Sequence, residues 1–152
     1  MVKARDLNRN IERPTVHLET VKNVSVYFDP KQMVAVLATQ IQRSKQVFGC
    51  VAWLTHEKVL GALEKTDATI IMTKHKRNRN KRRFRKKYVG TRKLLMHHKF
   101  MVGFDDLGPC WVSYGSFNPT RGALTNLENM TLTLDRTLAG VFYQEYLRIM
   151  AG

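Results

Sequence analysis

The chain has 152 residues, 43% of them hydrophobic and 25% charged, the balance of one ordinary globular domain that folds without a disulfide or a metal. Its net charge of +14 is not ordinary, and it is unevenly spread. Twelve of the 26 Lys and Arg lie between Lys74 and Lys93 with no acidic residue among them; the other fourteen face all 12 Asp and Glu. A near-neutral domain therefore carries a basic insert over 74–93, and such a patch implies a polyanionic partner: nucleic acid first, an anionic membrane surface second.

Residues 1–19 read as a polar arm or lead-in, broken at Pro14, with a short strand at Thr15–Glu19; the domain proper is expected over 20–152. Val24–Phe28 (VSVYF) reads as a strand stopped by Asp29-Pro30. Lys31 to about Lys45 has helical spacing, with Met33, Val36, Leu37 and Ile41 on one face. Val47–Leu54 (VFGCVAWL) suits a central strand covered on both faces. Thr55 is the expected N-cap of a helix over His56–Lys65, and Ala68–Met72 is a further buried strand. Beyond the basic insert, Leu94–Phe104 and Trp111–Tyr114 form an expected hairpin around Asp105-Asp106-Leu107-Gly108-Pro109. Pro119–Leu124 is a short helical turn and Asn129–Leu134 a strand. Thr137–Met150 closes the chain as an amphipathic helix with Leu138, Val141, Phe142, Tyr146 and Ile149 inward. Strands alternating with helices give an α/β domain: a mixed central sheet flanked by helices.

Cys50 and Cys110 lie in apolar stretches without CxxC or Cys/His ligand spacing, as in a reducing compartment. The N-terminus has no apolar h-region and no apolar run reaches membrane length. The expectation is a cytoplasmic protein with no metal, no cofactor and no membrane partner. His17 and His56 read as surface or capping residues, Met96 and Met101 as core. Trp53 and Trp111 are assigned to core strands, not to base stacking.

The chemistry lies in His97-x-Lys99. Side chains alternate along a strand, so His97 and Lys99 share a face and His98 takes the other. Ser116 and Asn118 share a face likewise if Gly115–Asn118 continues its strand. An imidazole, an ammonium, a hydroxyl and an amide on one surface make a phosphate-binding site with a nucleophile in it. Met96-His97-His98-Lys99, then Gly115-Ser116-Phe117-Asn118, then Glu128-Asn129 resembles the HxK, GSxN and downstream acidic signature of the phospholipase D superfamily over roughly 20–150. The family's Asp follows the Lys after four residues; here that position is Phe104, and Asp105 comes one later, which a β-bulge would restore.

The resemblance implies a phospholipase D-like sandwich with one motif per chain, and a metal-independent phosphodiesterase. One His attacks phosphorus and forms a phosphohistidine; a second His protonates the leaving oxygen and then activates water. His97, Lys99, Ser116, Asn118, Glu128 and Asp105 are the catalytic candidates, with Glu128 pairing the His. With a single HxK, the second His must come from another copy of the chain, as in the small Nuc-type nucleases, so a homodimer with the site on its two-fold axis is expected. The basic insert reads as a loop at the rim of the site that grips the substrate backbone through Lys74, Lys76, Arg77, Arg79, Lys81, Arg82, Arg83, Arg85, Lys86, Lys87, Arg92 and Lys93. Phe84 and Tyr88 within it either stack on bases or anchor it. The leading function is cleavage of DNA or RNA; the alternatives are a cardiolipin-type lipid phosphodiesterase and a nucleic-acid-binding module that has lost turnover.

Overall fold

The computed structural model describes Val16–His17 and residues 23–152. The rest of the expected lead-in, and the boundary at residue 20, lie outside the described residues. Of the strand expected at Thr15–Glu19, Val16–His17 is described and is β1.

Among the described residues, eight strands form one mixed sheet in the order β1-β2-β8-β7-β6-β3-β4-β5. They are β1, β2 (Val24–Tyr27), β3 (Gln46–Val51), β4 (Asp67–Thr73), β5 (Arg85–Val89), β6 (Lys99–Asp105), β7 (Gly108–Gly115) and β8 (Met130–Thr133). The β3–β4 and β4–β5 pairs are parallel; the others are antiparallel. Helices α1 (Pro30–Arg43), α2 (Glu57–Glu64) and α3 (Arg136–Ala151) flank it. Two buried clusters separate the layers. One joins Met33, Leu37 and Ile41 of α1 and Val59 and Leu63 of α2 to Val47, Ile70, Met101 and Trp111 of the sheet. The other joins Ala139 and Tyr146 of α3 to Cys50, Ile71, Phe100, Val102 and Val112 on the opposite face. β3 and β4 are covered on both sides, which is why their sequences are continuous apolar runs rather than alternating ones.

Local signals explain the element ends. Asp29 does more than stop β2: its carboxylate accepts from the Lys31 N–H and Pro30 occupies the first helical turn, where a missing N–H is harmless. α2 is capped by His56, not Thr55; its Nδ1 accepts from the Lys58 N–H. β3 ends three residues earlier than its apolar run suggests, because other groups capture the backbone at Ala52, Trp53 and Leu54. Ala52 N–H donates to His98 O, Trp53 N–H to Asn118 Oδ1, and Leu54 N–H to Asn78 Oδ1. In α3, Val141 is 61% exposed; the buried face is carried by Ala139 and Tyr146, with Leu138, Phe142 and Ile149 half-buried.

The basic insert is not a loop. It carries a 3-10 turn at Lys76–Asn78, continues as β5, the parallel edge strand beside β4, and ends in the turn that follows β5. The fully buried Asn78 side chain pins it: its amide donates to Ala52 O and Thr73 O, both at 2.8 Å. Phe84 packs against the core and the Tyr88 hydroxyl donates to Asn78 O, so both aromatics anchor the segment. Cationic side chains on an edge strand also discourage pairing with another chain's edge. No helix among the described residues is long and apolar enough to cross a membrane.

Candidate active site

β6 begins at Lys99, so Met96, His97 and His98 precede the strand rather than lying in it. Two bonds hold this short segment against the sheet. Ala52 N–H donates to His98 O at 2.8 Å, and the buried Thr73 hydroxyl donates to Met96 O. The two-faced division survives. The Lys99 ammonium lies 3.2 Å from His97 Nδ1 and 3.4 Å from Nε2, and donates to His97 O at 2.8 Å. An ammonium can only donate, so a ring nitrogen facing it accepts through a lone pair. His98 turns the other way, with Nε2 at 3.0 Å from Glu145 Oε1 on α3 and its ring edge-on to Phe100. Glu145 is held at about 2 by Arg148 first, and His98 adds to that.

The second part of the site comes from the turn that leaves β7. Gly115 has φ +152, and a Cβ there would sit 2.4 Å from Asn129 O. Only glycine lets the chain turn out here and lie against the residue before β8. Ser116 N–H then donates to Asn129 O, and Asn129 N–H donates to Ser116 Oγ. The Ser116 hydroxyl donates to Glu128 Oε2 at 2.5 Å, and Asn126 Nδ2 to Glu128 Oε1 at 3.2 Å. Phe117, buried between the two polar positions, anchors the turn in the core. Pro119 O accepts from both Thr55 and His56 N–H, stapling this loop to the one after β3. Asn118 Oδ1 faces the Trp53 N–H; only an oxygen can accept there, which leaves Nδ2 as the outward donor.

His97, Lys99, Ser116, Asn118 and Glu128 thus gather at one end of the sheet. Burial pushes the Lys99 ammonium below the usual lysine range, and the Glu128 charge partly offsets this. Glu128 does not pair with His97: its carboxylate is taken by Ser116 and Asn126, and His97's hydrogen-bonding neighbour among the described residues is Lys99.

Asp105 is not in this group. It ends β6 six residues beyond Lys99, roughly 20 Å along an extended strand. There its carboxylate accepts from the Arg136 guanidinium and the Leu107 N–H, which hold it at about 2. A register shift is present between Gly103 and Phe104, but it leaves Asp105 at the hairpin turn. The Asp therefore fixes the β6–β7 hairpin to α3.

The twelve cations of the insert divide. Because β5 runs parallel to β4, its C-terminal end lies at the site. Lys74, Lys76 and Arg77 follow β4 there, and Arg92 and Lys93 sit on the exposed Thr91–Leu94 turn that follows β5. Arg79 and Lys81 lie in the connection between the 3-10 turn and β5. The others are at the far end or committed elsewhere. Arg82 pairs with Glu57 and Glu64, and Arg83 N–H donates to Glu64. Arg85 pairs with Asp67 and Thr69. Lys86 lies over the Phe84 ring and donates to Arg82 O. Lys87 donates to the last carbonyls of α3.

Two residues of the site region carried no sequence signal as such. Trp53 lies beyond β3, half-buried, and walls a cleft of about 340 Å³ together with Arg77, Asn118, Arg121, Asn126 and Glu128. Arg121 is the second arginine of that cleft. It also acts on His56, which is held below the ordinary histidine range by burial first and then by Arg121 and Lys58.

No protein-family model matches the sequence, and no curated protein matches it. Solved structures do. A phospholipase D family member, Nuc from Salmonella typhimurium, superimposes with a TM-score of 0.69 at 18% identity, over 84% of this chain and 93% of that one. NucT from Helicobacter pylori gives 0.69 at 16% identity, over 84% and 95%. The chain has the phospholipase D-like fold. Phosphatidylserine synthase from Haemophilus influenzae shares it more distantly, with a TM-score of 0.59 at 14% identity, over 93% of this chain and 40% of that one.

Proposed function

We propose that the protein is a metal-independent phosphodiesterase that cleaves nucleic acid through a covalent phosphohistidine on His97, with its active site completed by a second copy of the chain. The observation that carries this reading is the cluster itself. His97 and Lys99 stand together at the sheet end beside the Ser116–Glu128 pair and Asn118, all on a fold shared with a phospholipase D family member.

The chemistry follows from the groups present. The substrate's non-bridging oxygens are neutralised by Lys99 and accept from Asn118 Nδ2. A lone pair on a His97 ring nitrogen attacks phosphorus, and the P–O bond to the leaving oxygen breaks as the P–N bond forms. The leaving oxygen takes its proton from the second copy's His97. That ring then accepts a proton from water, whose oxygen attacks phosphorus and releases His97. Glu128, clamped by Ser116 and Asn126, places a negative charge near Lys99 that keeps the cationic cluster from being one-signed before substrate arrives.

The dimer is supported by the single HxK and by what surrounds it. Leu94 and Leu95 are 73% and 54% exposed just before His97, and Leu127 is 56% exposed beside Glu128. Apolar side chains so placed suit an interface that brings two half-sites together. Nucleic acid is favoured as substrate by Lys74, Lys76, Arg77, Arg92 and Lys93 at the same end of the sheet.

The test is hydrolysis in EDTA of single- and double-stranded oligonucleotides, with cardiolipin vesicles as a separate arm, for the intact protein and His97→Ala, alongside light scattering. The reading expects EDTA-resistant cutting of oligonucleotides, none by the variant, and a dimer. Cutting by the variant would refute the nucleophile, cleavage confined to vesicles the substrate, and an active monomer the shared site.

A further inference from the structure

The cleft beside the cluster has a chemistry of its own. Trp53 forms one wall, Arg77 and Arg121 stand around it, and Asn118 and Glu128 belong both to the cleft and to the candidate active site. The backbone on either side of the indole is held by hydrogen bonds. Trp53 N–H donates to Asn118 Oδ1 at 3.1 Å. On either side of it, Ala52 N–H is bound to His98 O and Leu54 N–H to the buried Asn78. The indole makes an edge contact with His75 at 5.0 Å between ring centroids and 80° between planes. The backbone of residues 52–54 is thus held in place, and the half-buried indole stands in the wall of the cleft.

We propose that this cleft is a subsite for one unpaired nucleotide next to the scissile phosphate, with Trp53 as its stacking surface, so that single strands are preferred over duplex. The inference rests on the phosphodiesterase reading only for the position of the phosphate. An aromatic plane accepts any base, because every base has a π-face. Guanidinium groups on the rim suit the phosphates on either side. Asn126 adds an amide to the cleft, which matches the mixed donors and acceptors of a base edge better than a lipid chain. A cavity of about 340 Å³ takes a single nucleotide. In a duplex both faces of each base are already covered by neighbours, so the indole could be reached only by breaking the stack.

The test is equilibrium binding by fluorescence anisotropy of three labelled ligands: a short single-stranded oligonucleotide, the same length of duplex, and an abasic strand of equal charge. Each is measured in EDTA with a non-hydrolysable backbone, for the intact protein, Trp53→Ala and Trp53→Phe. Melting temperatures control for folding. Trp53→Ala is expected to weaken single-strand binding roughly ten- to a hundredfold, the range of one stacked base. It should leave duplex and abasic binding within about twofold, a shift too small to be a lost stacked base. Trp53→Phe should recover part of the loss. Equal losses on all three ligands, or none, would overturn the subsite. Hydrolysis of a small chromogenic phosphodiester separates this from the reaction itself. If Trp53-dependent strand binding persists without hydrolysis, the enzyme reading fails and the subsite stands. If hydrolysis persists with Trp53-independent binding, the subsite alone fails.

Discussion

The middle of the basic segment and its two ends are alike in composition and opposite in fate. At the start of β5, Arg82 and Arg85 are matched by Glu57, Glu64 and Asp67, and Lys87 closes the C-terminal end of α3. At the end of β4 and in the turn after β5, Lys74, Lys76, Arg77, Arg92 and Lys93 are exposed and make no side-chain ion pair among the described residues. β6 repeats the contrast: His97 and Lys99 face outward at one end, while Asp105 and Arg136 neutralise each other at the other. A cation bonded to protein carboxylates has little left for a phosphate. On the proposed function, only the cations whose partners the fold withholds serve the substrate.

The largest way to break this comparison is at the proposed nucleophile. His97→Ala should lower phosphodiester hydrolysis by about a thousandfold or more, whereas His98→Ala, two faces of one short segment apart, should lower it by less than about tenfold. Comparable losses in kcat would mean that the two histidines are not divided as the contacts indicate.

The two classes of cation separate next. Arg77→Ala should weaken oligonucleotide binding several-fold and reduce the slope of log Kd against log salt by about one. Arg82→Ala should leave that slope unchanged and instead lower the melting temperature slightly, since its pairs with Glu57 and Glu64 are partly solvated. A salt titration and a thermal scan on both variants decide it; a slope change in Arg82→Ala would erase the distinction.

Gly115→Ala comes third. Its backbone lies at φ +152 and its missing Cβ faces Asn129 O, so the substitution should cost roughly 2 kcal/mol by denaturant unfolding and loosen the Ser116–Glu128 contact. The same change at Gly61, where a Cβ meets nothing, should be neutral or slightly stabilising.

The smallest effects are pH effects at the two ends of β6. Lys99 sits below the usual lysine range through burial, so its charge is lost at lower pH than an ordinary lysine's, and the alkaline limb of kcat/KM should begin below pH 10.5. Asp105 is held at about 2 against an ordinary 3.8. A depressed carboxyl contributes stability that is complete above its unfolded value and is lost as pH falls from about 4 to about 2. Asp105→Asn should therefore be modestly less stable than the parent protein near neutrality and converge with it at acid pH. Unfolding curves across that window check the sign.

The order of elements and the core of the candidate site were legible because their signals are local. HxK, GSFN and the Glu128-Asn129 pair each lie at a strand end, and apolar runs mark the strands between them. The rest depended on partners distant in sequence. Trp53 belongs to an apolar run that reads as strand throughout, yet Asn118 and Asn78 claim the N–H groups of residues 53 and 54, end β3 early and turn the indole into a cleft wall. The split of the basic segment depends on acidic residues of α2 and β4, and no charge count reveals which cation meets them. Asp105 read as catalytic from its distance along the chain; the strand carries it to the opposite end of the sheet, where Arg136 waits.

On the proposed function, His97 becomes covalently phosphorylated. Intact protein mixed with excess single-stranded oligonucleotide, quenched in alkali within one turnover and examined by peptide mass spectrometry, tests it directly. A nucleotide adduct on the His97 peptide, absent in His97→Ala, is the expected result. Product formed over many turnovers with no adduct on that peptide, or with the adduct on another residue, would contradict it.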